Sequence, residues 1–147
     1  MADNGFDYEA YEKECESISA KNEEYLEGFA EELSKEGLSE KTIKKHVSNV
    51  DFYINYYLLY EDATPAEEGC GHAISFFLGY WFIKKAMWSS VASIRSNAAS
   101  IKKFYKYLLK KGVVQSDDYD SLLEIIKEEM PEWLEEMLDY DAAAYDW

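Results

Sequence analysis

Arginine occurs once in the 147 residues, as Arg95, and histidine twice, as His46 and His72. A lone guanidinium argues against phosphoryl or carboxylate chemistry that needs several planar forks. The two cysteines, Cys15 and Cys70, are too few for a disulfide framework. Only two prolines interrupt the chain, so most of it is expected to fold. The longest apolar run, 74–83, is about half the length that spans a bilayer. No basic-then-apolar leader opens the sequence. These absences predict a soluble, cytoplasmic protein with no membrane contact.

Enzyme signatures are missing too. There is no GxGxxG, GxxxxGK[ST], HExxH or GxSxG. Glu68, Cys70 and His72 lie close together, and His46 could join them. Zinc usually needs four well-placed ligands, however, and Cys-x-His in a loop is half of no familiar site. Carboxylates are so numerous that no pair stands out as a catalytic dyad. The expectation is a protein with no catalytic residues, no metal and no cofactor.

What the chain has in abundance is acid, unevenly spread. Net charge is −15. Residues 1–38 hold three lysines against twelve acids, net −9. Residues 39–111 hold eleven basic residues against six acids, net +5. Residues 112–147 hold one lysine against twelve acids, net −11. A basic middle thus sits between two acidic arms, and the whole-chain charge is a poor guide to the partner. The same runs also describe ordinary solvated helix faces.

Apolar spacing predicts an all-α chain, a single domain over 1–147 built as one bundle of five to seven helices. Residues 1–20 have weak periodicity and read as an acidic segment, either a frayed helix or a tail. A helix is expected from about Asn22, which can cap it, with Tyr25, Leu26, Phe29, Ala30 and Leu33 on one side. Gly37 ends it with a left-handed cap. Ser39 is a good N-cap for the next helix, with Leu38 and Ile43 placed as a hydrophobic staple. That helix should run to about Tyr60. Phe52, Tyr56 and Leu59 form a second apolar face on it, for which an acidic terminal helix or a partner protein is the expected cover.

Glu61 to Gly71 reads as a loop, and 73–85 as a short helix buried nearly all round. In the helix 89–111, capped by Ser89 or Ser90, Val91, Ile94, Ala98, Ile101, Tyr105 and Leu108 make one apolar stripe. Opposite lie Ala92, Ser96, Ala99, Lys103, Lys106 and Lys110. Asp117 or Asp118 should cap a further helix, and Pro131 should open a last short one.

Helix N-termini, hydroxyls and lysines are the groups that hold phosphates. Helices 39–60 and 89–111 each begin beside serine and show lysines opposite their core stripes. Small residues at Ala92, Ser96 and Ala99 leave room for close approach to DNA. Lysines that merely solubilise a helix would look the same.

Two stretches carry a resemblance. Gly37-Leu38-Ser39-Glu40-Lys41-Thr42-Ile43, followed by a long helix with Phe52, resembles the Gly-hydrophobic-Ser-x-x-Thr-hydrophobic opening of the N-terminal SAM-like, core-binding domain of tyrosine recombinases (phage integrases). Ser93-Ile94, the run Ala99 to Leu108 and Gly112-Val113 resemble that domain's last helix and the turn after it. The likeness covers about residues 22–115 and leaves 116–147 as extra acidic helices. In that family the domain is a helical bundle that clamps one side of DNA, while a separate domain cuts. The resemblance implies double-stranded DNA as a partner. It implies contacts from Ser39, Lys41, Thr42, Lys45, Arg95, Ser96, Lys102, Lys103 and Lys106.

The family's cutting domain needs two arginines, a histidine-rich motif and a nucleophilic tyrosine. Residues after 115 contain neither arginine nor histidine. The resemblance therefore implies a non-catalytic DNA-binding or recombination-accessory domain, with a full-length recombinase as a second partner. The acidic arms would repel phosphate at low salt. They keep three alternatives open: an acidic protein-interaction module, a DNA mimic, or a bundle whose segment 117–147 masks its own basic face.

Overall fold

Charge and glycine set the helix ends. The computed structural model describes residues 7–145. α1 (Tyr8–Lys35) is capped by the Asp7 carboxylate, which accepts from the Ala10 amide at 3.2 Å. It stops at Gly37, whose φ of 90° is open to glycine alone at no strain. There the Leu38 amide bonds Leu33 O and the Gly37 amide bonds Ser34 O, the six-to-one and five-to-two pair of a Schellman turn.

α2 (Glu40–Asp51) starts at Ser39, whose hydroxyl accepts from the Thr42 amide. It runs on as a π-helical stretch, Phe52–Tyr57. α3 is composite, with α-helical ends at Ala73–Phe76 and Phe82–Lys85 around a π-helical centre, Phe77–Trp81. α4 (Val91–Lys110) opens with a reciprocal box between Ser90 and Ser93 and closes at Gly112, φ 76°. α5 is Ser116–Tyr145. No strand occurs among the described residues, and the architecture is the expected all-α bundle.

Three helix boundaries differ from the periodicity, the smallest difference being that α5 begins at Ser116, so Asp117 and Asp118 stand in its first turn and do not cap it. α1 begins at Tyr8, not near Asn22, so the described part of the acidic N-terminal segment is helix; residues 1–6 lie outside the described residues. The Tyr11 hydroxyl ties this half down by donating to the carbonyls of Leu59 and Tyr60. Asn22 caps nothing. It is buried inside α1 and its amide donates to Ile54 O at 3.3 Å and Asn55 Oδ1 at 2.8 Å.

Pro131 does not start a new helix but sits inside α5, which runs through it. Leu122 and Ile126 before the proline and Trp133 and Met137 after it are all buried. Burial on both sides holds the two halves in line despite the missing amide hydrogen.

The π-helical stretches coincide with runs of large rings. On an α pitch, consecutive aromatic residues point in diverging directions and cannot all enter one core. The looser turn, with Leu58 N bonded to Tyr53 O and Phe82 N to Phe77 O, changes that angle. Phe77 then meets Tyr53 at 4.9 Å and Tyr57 at 4.8 Å between ring centroids. The cover over Phe52 is likewise aromatic and internal. Tyr56 stacks on it at 5.1 Å and Trp88 meets it edge-on at 5.2 Å, with Phe77, Trp81 and Phe82 also in reach. α3, not the acidic terminal helix, supplies the rings packed on the inner side of Phe52, while Tyr56 and Trp88 beside it stay more than half exposed.

α5 packs on α3 and α4. A Cβ added at Gly79 would lie 2.8 Å from Cδ1 of the Trp133 ring, so only glycine lets the indole seat. Removal of residues after 115 would take four core side chains with it, so that truncation tests folding before it tests masking.

Trp133→Ala should therefore cost about 3–5 kcal/mol of stability, the usual range for a buried large aromatic. Gly79→Ala should cost about 1–3 kcal/mol from overpacking, although alanine is the better helix former. Urea unfolding of both variants checks this; a Gly79→Ala chain as stable as the parent would refute the close seat.

Candidate nucleic-acid interface

α4 is enclosed on more than the single stripe its spacing predicts. Ile94, Ala98, Ile101, Tyr105 and Leu108 are buried as expected, with Val91 half-buried. Asn97, Ser100, Phe104 and Tyr107 are buried as well. Phe104 and Tyr107 pack on Phe29 of α1, at 5.4 and 6.1 Å. The exposed strip that remains carries Ala92, Arg95, Ala99, Lys106 and Lys110.

A polar seam joins α4 to α2. His46 Nδ1 lies 2.8 Å from Ser100 Oγ. The Asn49 amide donates to Ser100 Oγ at 2.9 Å and to Ser96 Oγ at 3.1 Å. Ser100 Oγ has one proton, which it donates to Ser96 O at 3.0 Å. Its oxygen must then accept from both neighbours, which assigns the imidazole proton to Nδ1.

These bonds pair residue 46 with 100 and 49 with 96, so the two helices run antiparallel. The start of α2 lies beside the lysine half of α4, and the start of α4 lies beside the end of α2. The starts of the two helices, from both of which the resemblance implies DNA contact, therefore lie at opposite ends of the seam, and the start of α2 has the lysine row of α4 beside it.

Lys45 and Lys103 flank this seam. Burial holds the His46 imidazole below the usual histidine range, and the charges of Lys103 and then Lys45 push the same way. Ser39, Lys41 and Lys45 are exposed, Thr42 is half-buried, and the Ser39 and Thr42 hydroxyls bond each other at 3.0 Å. Lys106 is exposed, Lys102 and Lys103 are half-buried, and Ser96 is half-buried in the seam. Arg95 stands apart, one end of the strip away from Lys103 and Lys106.

The lysine row has acidic neighbours on one side. Glu32 of α1 and Glu36, which follows its last turn, line a crevice with Lys103, Lys106 and Lys110. Glu32 and Lys110 form a salt bridge on the surface. The hydrogen bond from Lys110, more than any other influence, holds the Glu32 carboxyl below the usual range.

Sequence reasoning missed the seam. Its signal was polar residues at helical spacing on otherwise buried faces, His46 with Asn49 and Ser96 with Ser100. The residues considered for metal binding stay apart in role. His46 is committed to Ser100, Cys70 is buried with its thiol pushed up to about 12, and His72 is exposed. Among the described residues no three His, Cys, Asp or Glu side chains are grouped to hold a metal ion.

Residues 25–114 match the family described as phage integrase, N-terminal SAM-like domain. The chain belongs to this family. Its matched part runs from the middle of α1 to the turn after α4 and contains the whole α2–α4 seam. Comparison with curated proteins and with solved structures finds no match. The matched domain is the non-catalytic N-terminal part of integrases, and the family links the chain to recombinase-related DNA binding in general. The first half of α1 and all of α5 lie outside the match, and they carry most of the acid. No helix among the described residues is long and apolar enough to cross a membrane.

The seam has a pH signature. The folded pKa of His46 lies below its unfolded value of about 6.5. Between the two values the unfolded chain binds the extra proton, so stability rises with pH in that window. The contribution of the neutral ring is intact above the unfolded value and is lost as pH falls through the folded one. The urea midpoint of the parent should climb as pH rises toward about 6.5 and level off above it. His46→Gln should flatten the climb, and an equal climb in that variant would assign it to another group.

Proposed function

We propose that the chain is a non-catalytic, recombinase-like DNA-binding or recombination-accessory domain that grips the DNA backbone through α2 and α4. The observation that carries this reading is the antiparallel seam with Lys45 and Lys103 on its two sides. The exposed N-terminus of α2 supplies free amides and the Ser39 and Thr42 hydroxyls, and the α4 row supplies Lys102, Lys103 and Lys106. Those are phosphate-positioning groups and carry no base-reading information by themselves. Arg95 makes a separate, outlying contact. A full-length recombinase acting beside it on the same DNA would supply cutting.

A second reading is supported by the Glu32–Lys110 salt bridge. Acid from α1 already occupies one end of the basic row, which suits an interaction module or DNA mimic that keeps the fold without gripping DNA.

Duplex DNA titrated at low salt separates the two. On the first reading the parent binds and log affinity falls linearly with log salt. The Lys102→Ala/Lys103→Ala/Lys106→Ala chain then binds roughly tenfold or more weakly, and its salt slope is smaller by up to about 0.9 for each phosphate left unneutralised. Parent and triple variant binding alike would discard the residue assignment. A parent that binds no duplex even in low salt would favour the second reading.

A further inference from the structure

Beyond the DNA contact proposed above, we propose that the groove between α3 and α5 docks a lysine- or arginine-rich segment of a partner protein. The groove has a volume of about 670 Å³. From α3 it takes Phe76 and Tyr80, each 51% exposed, unusually wet for such large rings. Trp133, seated on Gly79, lies beneath them. The α5 wall carries Glu129, Glu132, Glu135 and Glu136. Rings beside carboxylates are the surroundings that hold an ammonium or guanidinium, through the ring face and a charge-assisted hydrogen bond together.

The chain itself shows the chemistry. Lys84 Nζ stands 4.9 Å from the Tyr80 ring centroid and 5.3 Å from that of Tyr140, between α3 and α5. One cation is therefore already held on a ring that edges the groove. The groove's four glutamates have no such company, since none forms a salt bridge among the described residues. Glu128, Glu132 and Glu136 follow one another at four-residue spacing, where like charges repel. A cationic chain laid along α5 removes that repulsion. Phosphate is excluded by the same charge, so this surface and the α2–α4 seam take opposite ligands. The Ser75 hydroxyl, another lining group, has no hydrogen-bond partner among the described residues.

The test uses the full chain and a fluorescein-labelled deca-arginine peptide, read by anisotropy. Glu132→Lys/Glu136→Lys should weaken binding by roughly tenfold or more. The control Glu12→Lys/Glu16→Lys makes the same change of net charge on an exposed part of α1 and should change it less than about twofold. Tyr80→Ser should weaken binding severalfold without any charge change. Equal losses from both reversals would reduce the effect to diffuse attraction by an acidic protein and overturn the proposal. Absence of binding by the parent would do the same. So would spermine displacing the peptide as well as an unlabelled copy does. Duplex titration of the α5 variants keeps the two surfaces distinct: their DNA affinity should not fall, so either site can fail while the other stands.

Discussion

α4 must bury more than half of its circumference, and the rest of the molecule follows from that demand. α1 takes one flank with Phe29, α2 takes the next through a polar seam, and α5 lies against a further face. The hydrophobic gain from so enclosed a helix is large, but only because the polar groups drawn in are satisfied. Ser100 is fully buried, and its hydroxyl has three hydrogen-bond neighbours. An apolar residue there would leave His46 Nδ1 without an acceptor and take from the Asn49 amide one of its two, Ser96 Oγ being the other. The lysines stand where they do because the strip they occupy is the part of α4 that nothing covers.

The same logic governs the loop between α2 and α3. Its turn at Ala66–Glu68 is tied to the core by two buried tyrosines. Tyr53 OH donates to Gly69 O at 2.7 Å and Tyr105 OH to Ala66 O at 2.6 Å. One hydroxyl comes from α2 and the other from α4, so the loop reports on the spacing of the two helices that make the seam. Burial drives both phenols far above their usual range, which keeps them neutral donors. A surface built across two helices needs such a fixed spacing, because phosphate contacts are sensitive to ångström shifts.

Much of this was readable from residue order. Gly37, Ser39, Gly112 and the stripe Ile94–Ala98–Ile101–Tyr105–Leu108 each state a local rule that tertiary packing did not override. The all-α class and the family followed from them. The errors share a cause. Asn22 looks like a cap because its side chain is one, yet a partner on α2 claimed it. Pro131 looks like a helix start because its missing amide is harmless there, yet four buried neighbours held the helix together. The π-helical turns leave no trace in a three-and-four spacing, since they arise from ring packing between α2 and α3. Antiparallel pairing is a tertiary fact, so the lysines could be named while their arrangement could not.

Pro131 also divides α5 mechanically. The carbonyl one turn before it has no amide to accept from, so cooperativity along the helix is weakest at its middle. Residues 116–130 are anchored by Leu122 and Ile126, and those beyond by Trp133 and Met137. Opening that begins at the far end therefore meets a natural stopping point before it reaches α4. Glu132, Glu135 and Glu136 of the groove lie beyond that point and Glu129 just before it, so fraying from the far end would open the groove before it reached the seam.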